Sequence, residues 1–158
     1  MTKKEAPNPN KSEELTKYRD LVLATIDYYI ENKIMEIKTP EFDSILHFQS
    51  LKTQTTEHFA KGKLAKLKKW FRDMTEMQLE TRDLNFNTYL RNKTGLNINI
   101  FKDYYERINK ITERGKIMTD NQFYDVKNMV DHLCQNDPVD HKQIDILNRL
   151  IIDYEQKK

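Results

Sequence analysis

The chain has 158 residues, a mean hydropathy of −0.86, and 27 basic against 25 acidic side chains, for a net charge of +2. One domain is the default at this length, and a core can be buried without covalent staples. A lone Cys134 excludes an internal disulfide and a cysteine-rich metal site, and three glycines argue against Gly-rich phosphate loops and many-stranded β architectures.

Met1 to Lys11 reads as a flexible, solvated tail, polar and interrupted by Pro7 and Pro9. Met1 to Glu14 has no apolar stretch, which speaks against a secretory signal. No run of about 18 apolar residues occurs anywhere, so no membrane span is expected and the cytoplasm is the expected compartment. Ser12 is suited to an N-cap, with Glu13 and Glu14 on the positive first turn. Leu15, Tyr18, Val22, Ile26, Tyr29 and Ile30 then step by three or four along one stripe and predict a first helix. Met35 and Ile37 are expected to pack where the chain turns.

Thr39-Pro40-Glu41 is a second start signal, followed by Phe42, Ile45 and Leu46. The stretch Thr53 to Thr56 has weak helix propensity and suggests a break. A third segment runs from about Glu57 to Lys93 on the stripe Leu64, Leu67, Phe71, Met74, Gln78, Phe86, Leu90. Gly62 and a phase drift near Arg82 are its two weak points, and Gly95 suits its end. Asn97 or Asn99 caps a fourth helix carrying Phe101, Tyr104 or Tyr105, Ile108 and Ile111, and Gly115 ends it. Thr119 to Gln122 and Asp140 to Gln143 are capping boxes for a fifth helix (Phe123, Val126, Val130, Leu133) and a sixth (Ile144, Leu147, Leu150, Ile151, Tyr154). The short turn at Asn136-Asp137-Pro138 implies that these two form an antiparallel helical hairpin. The fold class expected is all-α: five or six helices in a single bundle, one domain over 12–158.

Charge is unevenly spread. Residues 58–72 hold six basic side chains and no acid, more than the whole positive excess of the chain. On a helix with Lys61 at zero, Lys66, Lys68, Lys69 and Arg72 fall between about 340° and 140°, while Leu64, Leu67, Trp70, Phe71 and Met74 fall between about 180° and 300°. Only Lys63 intrudes on the apolar side. An amphipathic helix with a cationic outer face suits an acidic protein partner, a phosphate backbone or an anionic membrane surface. It is equally the pattern of a solvated face whose lysine stems cover apolar surface. Arg supplies the commonest bidentate base contact, and its scarcity here favours charge-driven contact over base-specific readout.

Other chemistry is thinly supported. His47, His58, His132 and His141 form no metal-ligand spacing, and Ser12, Ser44 and Ser50 lack a nucleophile context. Cys134, beside Leu133, reads as a small buried hydrophobe. Each of the pairs Tyr28-Tyr29 and Tyr104-Tyr105 is expected to turn one ring inward and one to the rim. Asp120, Asp125, Asp131, Asp137, Asp140, Asp145 and Asp153 read as caps and outer-face acids. No catalytic residue, metal or cofactor is expected.

Thr119-Asp120-Asn121-Gln122-Phe123-Tyr124, Leu133, the Asn136-Asp137-Pro138 turn, Leu147, Leu150-Ile151 and Asp153-Tyr154-Glu155 together resemble the helical hairpin that precedes the DNA-binding domain of HigA-type antitoxins. The resemblance spans 119–155. That family continues into a helix-turn-helix beyond the hairpin, whereas this sequence runs to Lys158, so DNA binding by that module is not expected. What the resemblance implies is a small bacterial regulator or neutraliser that binds another protein. The leading expectation is a non-enzymatic protein-interaction or regulatory protein, with self-association among its modes. The alternative is a nucleic-acid-binding protein or ribonucleoprotein subunit. In both, Lys61, Lys63, Lys66, Lys68, Lys69 and Arg72 make the contact.

Overall fold

The computed structural model describes residues 9–157. All regular structure among them is helical: α1 (Pro9–Glu31), α2 (Ser44–Ala60), α3 (Leu64–Thr81), α4 (Asn85–Thr94), α5 (Lys102–Arg114), α6 (Asp120–Cys134) and α7 (His141–Gln156). An isolated bridge between Lys38 and Asp43 is the extended pairing found among these residues. Of the tail expected over 1–11, residues 1–8 lie outside the described residues, and 9–11 form the start of α1, where proline tolerates a first-turn position because its missing N–H has no partner to lose. The chain divides into two compact units, Met1–Ile98 and Asn99–Lys158, within the stretch for which one domain is expected from length.

In the first unit α1 is the shared partner, packed by α2, α3 and α4, while α2 also packs on α3. This explains why α1 buries more than the single stripe read from its sequence: Leu21, Val22, Ala24, Thr25, Ile26, Tyr28 and Tyr29 are all buried. The expectation that one of Tyr28 and Tyr29 lies at the rim is therefore corrected. Tyr28 sits edge-on to Phe86 and Tyr89, and its hydroxyl donates to Asp83 at 2.5 Å. Tyr29 donates to the Met74 carbonyl at 2.5 Å and stacks on Phe48. Two neighbouring rings are both taken in because helices lie against opposite flanks of α1.

Helix α2 starts later than the Thr39-Pro40 signal suggests. Thr39 closes a turn instead, its N–H donating to the Phe42 carbonyl (2.7 Å) and its Oγ1 accepting from the Phe42 N–H (3.0 Å). Asp43 is the cap, its carboxylate accepting from the Ile45 N–H at 3.0 Å. The break expected at Thr53 to Thr56 is absent. The hydroxyls of Thr53, Thr55 and Thr56 each donate to the carbonyl four residues earlier, so they satisfy themselves inside the helix.

The single helix expected over 57–93 is instead the end of α2 followed by α3 and α4, which raises the expected five or six helices to seven among the described residues. Both breaks use one hydrogen-bond pattern. At the first, the Gly62 N–H donates to the Phe59 carbonyl and the Lys63 N–H to the His58 carbonyl, each at 3.0 Å. At the second, the Arg82 N–H donates to the Leu79 carbonyl (3.4 Å) and the Asp83 N–H to the Gln78 carbonyl (2.9 Å). This is the paired closure of a Schellman motif, with Gly62 (φ +67°) and Arg82 (φ +55°) in the left-handed conformation.

In the second unit α5 packs on α6 and α7, which pack on each other. Phe101, Tyr104, Ile108, Ile111, Val126, Met129, Val130, Ile144, Leu147 and Leu150 form its core. Thr119 and Asp140 cap α6 and α7 as their sequences suggest, accepting from Gln122 N–H and Gln143 N–H. Two expectations are corrected. Asp125 is not an outer-face acid: it is buried, and Arg107 donates to its carboxylate at 3.2 Å. Cys134 is exposed, because α6 ends there and the turn carries it off the buried stripe.

Candidate partner-binding surface

The cationic window folds into a corner. Lys61 is the C-cap of α2, Gly62 supplies the left-handed turn, Lys63 stands at the N-cap of α3 without a side-chain capping bond, and Lys66, Lys68, Lys69 and Arg72 follow on α3. All six are exposed. The apolar side is as expected at Leu67 and Phe71, which are buried, whereas Trp70 is half-buried and Lys63, lying before the helix, does not intrude on the stripe.

The six cations are not equivalent. Lys68 reaches back to α1, where its Nζ lies 3.4 Å from Glu14 and 5.5 Å from the centre of the Tyr18 ring. Arg72 Nε lies 4.0 Å from Asp73, a loose pair on an open surface. Lys61, Lys63, Lys66 and Lys69 make no ion pair among the described residues.

Three of those four converge on His58, which the turn brings back beside α3. The His58 ring meets the Trp70 indole edge-on, with centroids 4.9 Å apart, and its two ring nitrogens are shielded without a hydrogen-bond partner. Loss of solvation, then the positive charges of Lys66, Lys63 and Lys61, holds His58 below its ordinary histidine range, with Glu57 opposing. The cluster thus disfavours protonation of the imidazole. Neither His58 nor its pairing with Trp70 is evident in the sequence, because the two are twelve residues apart and meet only through the turn at Gly62. Ammonium groups so placed attract carboxylates or phosphates, each lysine acting as a point charge with three donors.

A second surface went unread in the sequence. Met35 and Ile37, expected to pack at the turn, are exposed, as are Phe42, Ile45 and Leu46; Met35 and Leu46 keep 63% and 64% of their surface in contact with solvent. The physical reason is the connection after α1. Lys33 and Met35 both take left-handed backbone, and the segment is then pinned by Ser44, whose N–H donates to the Ile37 carbonyl (2.8 Å) while its Oγ accepts from the Ile37 N–H (2.9 Å). The chain is held out from the core by main-chain bonds, and its apolar side chains go with it. A cavity of about 80 Å³, lined in part by Tyr29, Ile34, Ile45 and Phe48, opens beside it.

Of the other residues considered, His47 and His141 are exposed and His132 is half-buried, while Tyr104 is buried with Tyr105 half-buried beside it. Among the described residues no group of three His, Cys, Asp or Glu is placed to hold a metal ion, and no helix is long and apolar enough to cross a membrane. Compared with known proteins, the chain matches no family model, no curated protein and no solved structure.

Proposed function

We propose that this chain is a non-enzymatic cytoplasmic interaction protein, a regulator, subunit or toxin neutraliser, that works through helix faces of its first unit. The observation that carries the reading is the exposed apolar row Met35, Ile37, Phe42, Ile45 and Leu46, five large side chains within twelve residues, held outward by backbone bonds rather than by disorder. Exposed large apolar side chains interleaved with charge (Lys33, Glu36, Lys38 and Glu41 here) suit a protein interaction site. The Lys61, Lys63, Lys66 and Lys69 cluster supplies the charge complement for an acidic partner and speeds its encounter. The second unit is read as a small bundle in which α6 and α7 form an antiparallel hairpin. The stacking of Phe123, near the start of α6, on Tyr154, near the end of α7, supports this, and the hairpin is what the resemblance to HigA-type antitoxins would require.

The test is crosslinking and co-purification of the full chain from its own cells. A stoichiometric protein partner is expected, retained by wild type and lost from Ile45→Glu/Leu46→Glu. A partner held equally well by that variant, or a wild-type chain recovered with none, overturns the reading.

One observation favours nucleic acid as the second reading: Trp70, half-buried, lies on the same helix as Lys66 and Lys69, which make no ion pair among the described residues, an arrangement suited to phosphate contact with a base stacked alongside. Gel shifts on generic RNA and single-stranded DNA decide it. Binding is expected to weaken with salt, and the Lys61→Gln/Lys66→Gln/Lys69→Gln variant to lower the slope by about three. No shift at low salt eliminates it.

A further inference from the structure

We infer that the second unit carries a self-complementary face on α7 through which two copies of the chain associate in antiparallel fashion about a two-fold axis. The face consists of Lys142, Asp145, Ile146, Arg149 and Asp153, all exposed, with Ile152 exposed at its edge. At 100° per residue its four charges lie within about 80° of helix surface, so they point one way. The same residues, with Leu150 and with Thr112 and Gly115 at the end of α5, line a groove of about 400 Å³.

Two observations select a second copy as the occupant. The first is that none of these charges is used inside the chain: Lys142, Asp145, Arg149 and Asp153 make no ion pair or hydrogen bond among the described residues. Asp145 and Arg149, and Arg149 and Asp153, stand at the i, i+4 spacing that favours pairing along one helix, yet each stays open. The second is their order. From the N-terminal end the face reads plus, minus, plus, minus; reversed, it reads minus, plus, minus, plus. Laid antiparallel on itself, the helix sets Lys142 against Asp153 of the other copy and Asp145 against Arg149. The midpoints of the two pairs fall at about residue 147.5 and residue 147, less than 1 Å apart along the axis at 1.5 Å per residue, so one two-fold axis serves both. Parallel alignment in register opposes like charges and is disfavoured. Near that axis Ile146, just outside the charged arc, meets its counterpart and adds apolar contact along one flank of the charged pairs.

The inference concerns the second unit, so its failure leaves the surfaces of the first unit untouched. Sedimentation velocity on the full chain is the test. Wild type is expected to show a concentration-dependent dimer. Arg149→Asp and Asp145→Arg, each of which places like charges against each other twice in a homodimer, are each expected to weaken it about tenfold or more. An equimolar mixture of the two variants restores opposite charges at both contacts, and a heterodimer of near wild-type affinity is expected. Because the mixture needs both variants folded, rescue also shows that the single losses are not loss of structure. A wild-type chain that stays monomeric to about 1 mM, a dimer indifferent to both reversals, or variants that retain wild-type helical circular dichroism but fail to pair when mixed would each overturn it.

Discussion

The two turns that flank α3 close in the same way and serve different purposes. At both, successive backbone N–H groups fold back onto the last turn of a helix around one left-handed residue, Gly62 before α3 and Arg82 after it. The later end is tied into the core: Asp83 accepts from Tyr28, and Gln78, itself buried, accepts from Tyr29. At the earlier end Lys68 alone reaches α1, at Glu14. Lys61, Lys63, Lys66 and Lys69 make no ion pair among the described residues and stand open near His58 and Trp70. One backbone device, repeated about twenty residues apart, thus makes a structural anchor where its side chains find partners on α1 and a presentation surface where they do not. Stability and partner binding are expected to separate along this one helix.

The largest effect is expected in the first turn of α3, because both ends depend on the helix being seated. Leu67 is fully buried. Leu67→Ala removes packed methyl groups and leaves a cavity, and is expected to cost about 3 kcal/mol by urea denaturation. Tyr29→Phe strikes the anchored end: it removes the one O–H that the Met74 carbonyl and, at longer range, the buried Gln78 oxygen share, at about 1–2 kcal/mol. The counterpart at the open end, Lys66→Ala, is expected to stay within about 0.5 kcal/mol while weakening anion binding. Equal losses from the Tyr29 and Lys66 variants would erase the contrast between the two ends.

Gly62→Ala sharpens the comparison at the turn itself. A Cβ there meets no atom within 4 Å, so the cost is conformational alone, about 1 kcal/mol for a left-handed L-residue. The turn is expected to survive, since Arg82 holds the same conformation with a full side chain.

The smallest effect is in pH dependence. Unfolded, His58 takes up a proton near its ordinary value of 6.5, whereas in the fold, desolvation and Lys66, Lys63 and Lys61 lower that value. Below about 6.5 the unfolded chain therefore binds more protons, so the stability contributed is complete above that value and is lost as pH falls through the folded value. His132, lowered by burial, acts with the same sign. Urea midpoints measured at pH 7.5 and 5.5 are expected to fall further for wild type than for His58→Phe, with the His132 share common to both; identical losses would mean that His58 is not held neutral.

Much of the architecture was legible in the residue pattern. Thr119 and Asp140 cap where they should, Gly95 and Gly115 end helices where the left-handed conformation is needed, and the stripes Leu64-Leu67-Phe71 and Ile144-Leu147-Leu150 face inward. Where it misled, the cause was either a side-chain bond along the same stretch of chain or a partner distant in sequence. Thr39 looked like a cap because a hydroxyl before Pro40 suits both a helix start and a turn. Thr53 to Thr56 looked like a break because propensity does not count hydroxyls that bond back along their own helix. Asp125 looked solvent-facing because nothing local points to Arg107.

The surfaces divide in the same way. Six cations without an acid over 58–72 are a property of the chain itself, as is the plus-minus-plus-minus order on α7, because helical spacing alone sets which charges share a face. Which lysines stay open was decided by the tertiary fold, through Glu14 reaching Lys68 while Lys61, Lys63, Lys66 and Lys69 find no acid among the described residues. So was the exposure of Met35 through Leu46. Hydrophobicity prescribes burial wherever the backbone permits it, and here the bonds of Ser44 and the left-handed residues after α1 hold the chain where the core cannot reach.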